Sequence, residues 1–110
     1  MKQPNILLIN VDDLGWTDLG CMGSSFYETP SIDKLASEGK VFTNAYAAAA
    51  NCAPSRACML TGLYPSRHGI YTVNSSARGD VKTRKLIPVE NNTKIDTSFP
   101  TMASVLKEHG

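Results

Sequence analysis

The stretch Asn51-Cys52-Ala53-Pro54-Ser55-Arg56-Ala57-Cys58-Met59-Leu60-Thr61-Gly62 sets a thiol two residues before a proline and four before an arginine. Pro54 suits a first helical turn, because its missing N–H has no intrahelical partner there. Met59 and Leu60 give that helix apolar surface to bury, and Gly62 ends it. Cys52 is therefore expected just ahead of a helix N-terminus, where free amides and the helix dipole favour negative charge. Arg56 lies about one turn further on and can reach back toward the same point. A nucleophile, an anion-friendly helix end and a guanidinium converge, which is the layout of a site for an anionic ester.

A second candidate cluster is Asp12-Asp13, directly after the apolar run Ile6-Leu7-Leu8-Ile9 with Val11. Adjacent carboxylates repel unless a cation holds them, so a hard divalent ion is one resolution. A polar turn led by the two aspartates and closed by Gly15 fits the residues equally well. His68, in Tyr64-Pro65-Ser66-Arg67-His68-Gly69, has the side chain for acid–base work, and a structural role is the competing reading.

The elements that must position these groups follow from local patterns. The run 6–11 reads as a strand buried on both faces of a parallel sheet, with the aspartates at its carboxyl end, where open α/β sheets bind ligands. Residues 15–28 read as irregular loop, with Trp16, Phe26 and Tyr27 as packing residues. Thr29 as N-cap and Pro30 at the first position open a helix. Its apolar face is Ile32, Leu35 and Ala36, and Gly39 stops it. Val41 to Tyr46 has the β-branched and aromatic content of a second strand. Residues 72–98 are rich in Asn, Ser, Thr and Lys and read as a long variable loop. Thr101 caps a last helix that buries Met102, Val105 and Leu106 and ends at Gly110.

Cys-x-Pro-x-Arg followed by Thr61-Gly62 and Tyr64-Pro65-Ser66-Arg67-His68-Gly69 resembles the signature of the type I sulfatases. The resemblance extends to residues 5–15, 29–36, 42–46 and 102–110; only about 72–98 lacks a match. It implies an α/β fold: part of an alkaline phosphatase-like sandwich with a mostly parallel central sheet, cut short after the third predicted helix. Residues 1–71 would carry the metal and nucleophile elements, 72–98 the variable loop and 99–110 the closing helix. It implies that Cys52 becomes formylglycine, made by a formylglycine-generating or equivalent maturation enzyme. The hydrated aldehyde would attack the sulfur of a sulfate monoester, and its second hydroxyl would release the sulfate. Calcium held by Asp12, Asp13 and the modified Cys52 would assist together with Arg56. The family pattern continues into a Gly-Lys-x-His segment and further metal ligands not found among these residues. The chain is therefore expected to be the N-terminal part of a sulfatase, inactive alone and completed by the rest of the sulfatase chain. Its substrate would be a sulfated small molecule or carbohydrate, and its compartment periplasmic, extracellular or lysosomal.

Bulk composition narrows the remaining classes. The chain has 110 residues, 42% hydrophobic and 19% charged, which describes a folded domain rather than a disordered one. A formal net charge of +1 argues for neither nucleic acid nor an acidic membrane surface, and the Lys82, Arg84, Lys85 cluster reads as a solvated loop. Cys21, Cys52 and Cys58 form no disulfide framework and no zinc spacing; Cys21 and Cys58 read as small buried hydrophobes. No stretch approaches a membrane span, and the run after Lys2 lacks the length and cleavage site of a signal peptide. Asn74 and Asn91 begin glycosylation-type triplets, informative only for a secreted eukaryotic protein. Two alternatives stand beside the sulfatase expectation. One is a phosphodiesterase or phosphonate monoester hydrolase of the same superfamily; the other is a non-catalytic fragment or interaction module.

Overall fold

The structure, a computed structural model, describes residues 4–110 and consists of two units, one ending at Ala45 and one running from Tyr46 to Gly110. The first unit is organised by α1 (Pro30–Glu38) and a 3-10 turn at Gly20–Met22. Thr29 stands at the N-cap as expected, but its side chain does not cap the helix. Its Oγ1 accepts the Gly20 N–H at 2.8 Å and donates to Asp33 Oδ1 at 3.0 Å. The same Asp33 oxygen accepts the Cys21 N–H at 2.7 Å. One helix carboxylate thus clamps the turn onto α1. These bonds hold Asp33 below the usual carboxylate range, the Cys21 N–H first among them. Partial desolvation, reinforced by the Asp33 carboxylate, pushes the Cys21 thiol up.

Apolar patterning overstates burial in this unit. Cys21 is exposed, contrary to its reading as a buried hydrophobe. Trp16, Phe26 and Tyr27 are also exposed rather than core, although Phe26 and Tyr27 meet edge to face with centroids 4.9 Å apart. Ile32 and Leu35 on α1 remain exposed too. No strand occurs among the described residues, so the expected sheet is not seen. Residues 6–11 and 41–46 are irregular, and Leu7 is 84% exposed. A strand forms only with a ladder partner, and neither run pairs with another segment here.

The second unit is built on α2 (Cys52–Thr61), which contacts the one-turn helix α3 (Pro65–His68) and the later helix α4 (Met102–Glu108). Helix α2 buries Pro54, Ala57 and Cys58, spaced i, i+3 and i+4 on one face. Met59, expected as its buried anchor, lies outside that face and is exposed. Gly62 ends the helix in the left-handed region, φ 69°, with its N–H on Cys58 O at 2.8 Å. Residues 65–68, read as a turn, form α3, because Pro65 presets the first helical φ and Gly69 at φ 70° closes it. A second 3-10 turn, Val81–Thr83, starts at Asp80, whose side chain accepts the Lys82 N–H.

Helix α4 opens with a capping box: Thr101 Oγ1 accepts the Ser104 N–H at 3.1 Å, and Ser104 Oγ accepts the Thr101 N–H at 2.9 Å. Its apolar stripe of Met102, Val105 and Leu106 is exposed rather than buried. The core of the second unit is instead Pro54, Ala57, Cys58, His68 and Ile70.

Candidate functional site

Helix α2 begins at Cys52, two residues earlier than the proline alone suggests, so Cys52 is its first residue and not the one before it. Asn51 precedes it with extended backbone, φ −133° and ψ 170°, and its carbonyl accepts the first helical bond from Ser55 N–H at 3.1 Å. Pro54 falls third in the helix, still within the first turn, where a missing N–H costs nothing. No side chain caps this N-terminus. The first turn offers N–H groups only from Cys52 and Ala53, since Pro54 has none and the Ser55 N–H bonds Asn51 O. Cys52 is half-buried.

Arg56 follows Cys52 by one turn and on the same helix face, as the sequence spacing requires. It is exposed and lines a cleft of about 300 Å³ together with Ala53, Thr72, Asn74, Asn92 and Thr93. Ala57, Leu60, Ile70, Val73 and Ile95 complete a mostly apolar lining, and Cys52 is not part of it.

Asp12 and Asp13 belong to the first unit and are both exposed. Asp13 adopts φ 54°, in the left-handed region that aspartate tolerates better than most side chains. The turn is thus held in an uncommon backbone state at the pair of carboxylates. Their hard oxygens fit calcium in kind, but two carboxylates fall short of its six to eight ligands. No group of three or more His, Cys, Asp or Glu side chains among the described residues could hold a metal.

His68 is 2% exposed, and its ring is fully engaged. Nδ1 accepts the Ile70 N–H at 3.1 Å, which leaves the ring proton on Nε2, 3.4 Å from Cys58 Sγ. Burial pushes its pKa down, so the ring is neutral at physiological pH. It joins α3 to the buried face of α2, with its one ring N–H turned to Cys58 rather than to the surface.

Sequence reasoning missed Asn51, Thr72, Asn91 and Asn92. Asn91 Oδ1 accepts the Tyr71 and Thr72 N–H groups at 2.7 and 3.1 Å, while Nδ2 donates to Thr72 O and Asn74 O at 3.1 and 2.6 Å. Asn92 Nδ2 donates to His68 O at 3.1 Å, and its N–H reaches Gly69 O at 2.8 Å. The segment that composition marks as loop is fastened across the back of the α2–α3 corner. The adjacent asparagines were the available signal, since their amides can satisfy both backbone donors and acceptors.

Comparison with known proteins supplies the remaining context. The family described as Sulfatase matches residues 4–110. N-acetylgalactosamine-6-sulfatase of Homo sapiens is 48% identical over 86 residues, covering 78% of this chain and 16% of that protein. N-acetylgalactosamine-6-O-sulfatase of Bacteroides thetaiotaomicron is 42% identical over 109 residues, covering 99% of this chain and 19% of that protein. Arylsulfatase H of Canis lupus familiaris is also 42% identical over 109 residues, covering 99% of this chain and 18% of that protein. The chain thus spans less than a fifth of the length of each of these three relatives.

Proposed function

This chain belongs to the sulfatase family, and from that premise we propose that it forms the nucleophile-bearing part of a sulfuric ester hydrolase. The observation that carries the reading is Cys52 as the first residue of α2, at an uncapped helix N-terminus with Arg56 one turn on. Formylglycine made from Cys52 supplies, as its hydrate, an oxygen nucleophile and a second hydroxyl through which sulfate can leave. A thiolate in its place has no such second hydroxyl and would stall after one transfer.

The chain's own residues do the electrostatic part. The opening amides of α2 and the Arg56 guanidinium offer fixed positive charge to the oxygens of the transferring group. Those dipoles need no rearrangement as charge develops, which is what lowers a barrier. Thr72, Asn74 and Asn92 line the cleft beside Arg56. Asp12 and Asp13 would hold calcium, which supplies further positive charge for a sulfate group. In the whole protein the runs 6–11 and 41–46 are strands of an alkaline phosphatase-like sheet. The substrate is a sulfated small molecule or carbohydrate met in the periplasm, outside the cell or in the lysosome.

Replacing Cys52 with alanine in the full-length protein tests the proposal. Aryl sulfate turnover is expected to disappear, and peptide mass spectrometry across residues 51–56 of the unaltered protein is expected to find the aldehyde at position 52. A fully active Cys52→Ala protein refutes it. A preference for phosphate esters over sulfate esters would move the assignment to the phosphodiesterase branch of the superfamily. The isolated 110 residues are expected to be inactive, because the family's Gly-Lys-x-His segment and further metal ligands are not found among them.

A further inference from the structure

The loop at 76–89 closes on itself. Ser76 Oγ donates to Val89 O and ties its two ends together. Within it Arg84 is held as a fork, Nε donating to Arg78 O at 3.0 Å and Nη2 to Gly79 O at 2.8 Å. The loop borders an open cleft of about 450 Å³, in the size range of small-molecule sites. Ser76, Arg78, Arg84 and Lys85 form its polar wall, and residues 86–89 an apolar one. The sequence cluster Lys82, Arg84, Lys85 is therefore divided: the cleft takes in Arg84 and Lys85, adds Arg78 and leaves Lys82 out.

Cations gathered in this way repel one another unless an anion joins them. No carboxylate lines the cleft, and Arg78, Arg84 and Lys85 form no ion pair among the described residues. The carboxylate of neighbouring Asp80 accepts the Lys82 N–H instead. Arg84 is nevertheless half-buried. Two of its five N–H donors serve carbonyls, and three remain for a ligand. Such a fork matches the oxygens of sulfate or carboxylate. The cleft also lies near position 52. Arg78 Nη2 is 3.4 Å from Thr72 Oγ1, which is itself 3.3 Å from Nδ2 of Asn51, the residue before Cys52.

We propose that this cleft is a second anion subsite, binding a sulfate or carboxylate on the sugar next to the one that carries the scissile sulfate. The proposal rests on the sulfatase reading above and narrows its substrate to a glycan with more than one charge. The cationic wall takes the anion, and the exposed side chains of Leu86 and Ile87 meet the carbon face of the sugar ring. A nucleic acid fits less well, since no aromatic side chain lines the cleft to stack a base.

The test uses the full-length protein with an aryl sulfate as substrate and three inhibitors. One is a disaccharide with sulfate on both sugars, one has a single sulfate, and one has a carboxylate in place of the second sulfate. The better of the two doubly charged sugars is expected to inhibit about tenfold more tightly than the singly charged one, the worth of one charge-assisted hydrogen bond. Added salt is expected to narrow that ratio. Lys85→Gln, which touches none of the bonds that hold the loop, is expected to cut it about threefold. Arg84→Gln is expected to abolish it, and Arg84→Lys, which keeps the charge without the fork, to leave an intermediate value. Equal inhibition by all three sugars overturns the proposal, as does a ratio unaltered in both Lys85→Gln and Arg84→Gln. Either result alongside an inactive Cys52→Ala protein removes the subsite alone. A fully active Cys52→Ala protein removes the sulfatase reading itself.

Discussion

Removing the His68 imidazole breaks the corner on which α2 rests. His68→Ala deprives the buried Ile70 N–H of its acceptor and the Cys58 sulfur of its donor. A buried amide without a partner costs about 1–3 kcal/mol, and the void left by the ring adds to that. A total of about 3 kcal/mol corresponds to roughly a 150-fold rise in local opening. Hydrogen exchange at the Ile70 amide reads this directly, since that proton is the one the ring holds. His68→Asn is the informative partner: its Oδ1 can take over from Nδ1, but nothing reaches Cys58. Its exchange is expected to fall between wild type and His68→Ala. Acid offers the same perturbation without mutation. Burial lowers the folded-state pKa, so the unfolded chain takes up a proton more readily than the folded one. The His68 contribution is therefore intact above the ordinary histidine value of about 6.5 and is lost as pH falls from there toward the lowered folded value. His68→Asn is expected to lack that dependence. An Ile70 amide that exchanges within about twofold of wild type in His68→Ala would refute the reasoning.

Three other outcomes are expected. Gly69→Ala places a methyl group at φ 70° and against Asn92 Nδ2, so it should cost at least about 1–2 kcal/mol in thermal or denaturant unfolding. Asp33 is held below the usual carboxylate range, so its clamp is present above about pH 4 and is lost as pH falls through the lowered folded value. Protection of the Cys21 amide measured across that window should follow it, and Asp33→Ala should abolish the protection at every pH. Asp12→Asn and Asp13→Asn should each weaken calcium binding by the full-length protein, which titration calorimetry measures; unaltered affinity in both would remove the pair from the metal site.

The helices were legible in the sequence because their signals are local. Thr29-Pro30, Pro54 with Gly62, and Thr101 mark starts and stops within a few residues, and each falls within two residues of the observed boundary. The spacing from Cys52 to Arg56 is likewise a property of one helix turn. The strands at 6–11 and 41–46 depend on partners elsewhere, and their apolar patterns cannot supply a ladder. Burial was overread for the same reason: Ile32, Val105 and Leu106 show helical periodicity, but periodicity names a face and not what covers it. The asparagine fastening left only the adjacent pair Asn91-Asn92 as a signal, because its bonds span 17 to 24 residues and involve no apolar pattern.

The three cysteines end up in unlike surroundings: Cys21 at the surface, Cys52 half-shielded and Cys58 enclosed beside an imidazole. A small alkylating reagent added to the folded molecule therefore reaches Cys58 last, whether position 52 is still a thiol or has become the aldehyde. Its labelling rate becomes a built-in gauge of how often the α2–α3 corner breathes, readable in any preparation without an introduced probe.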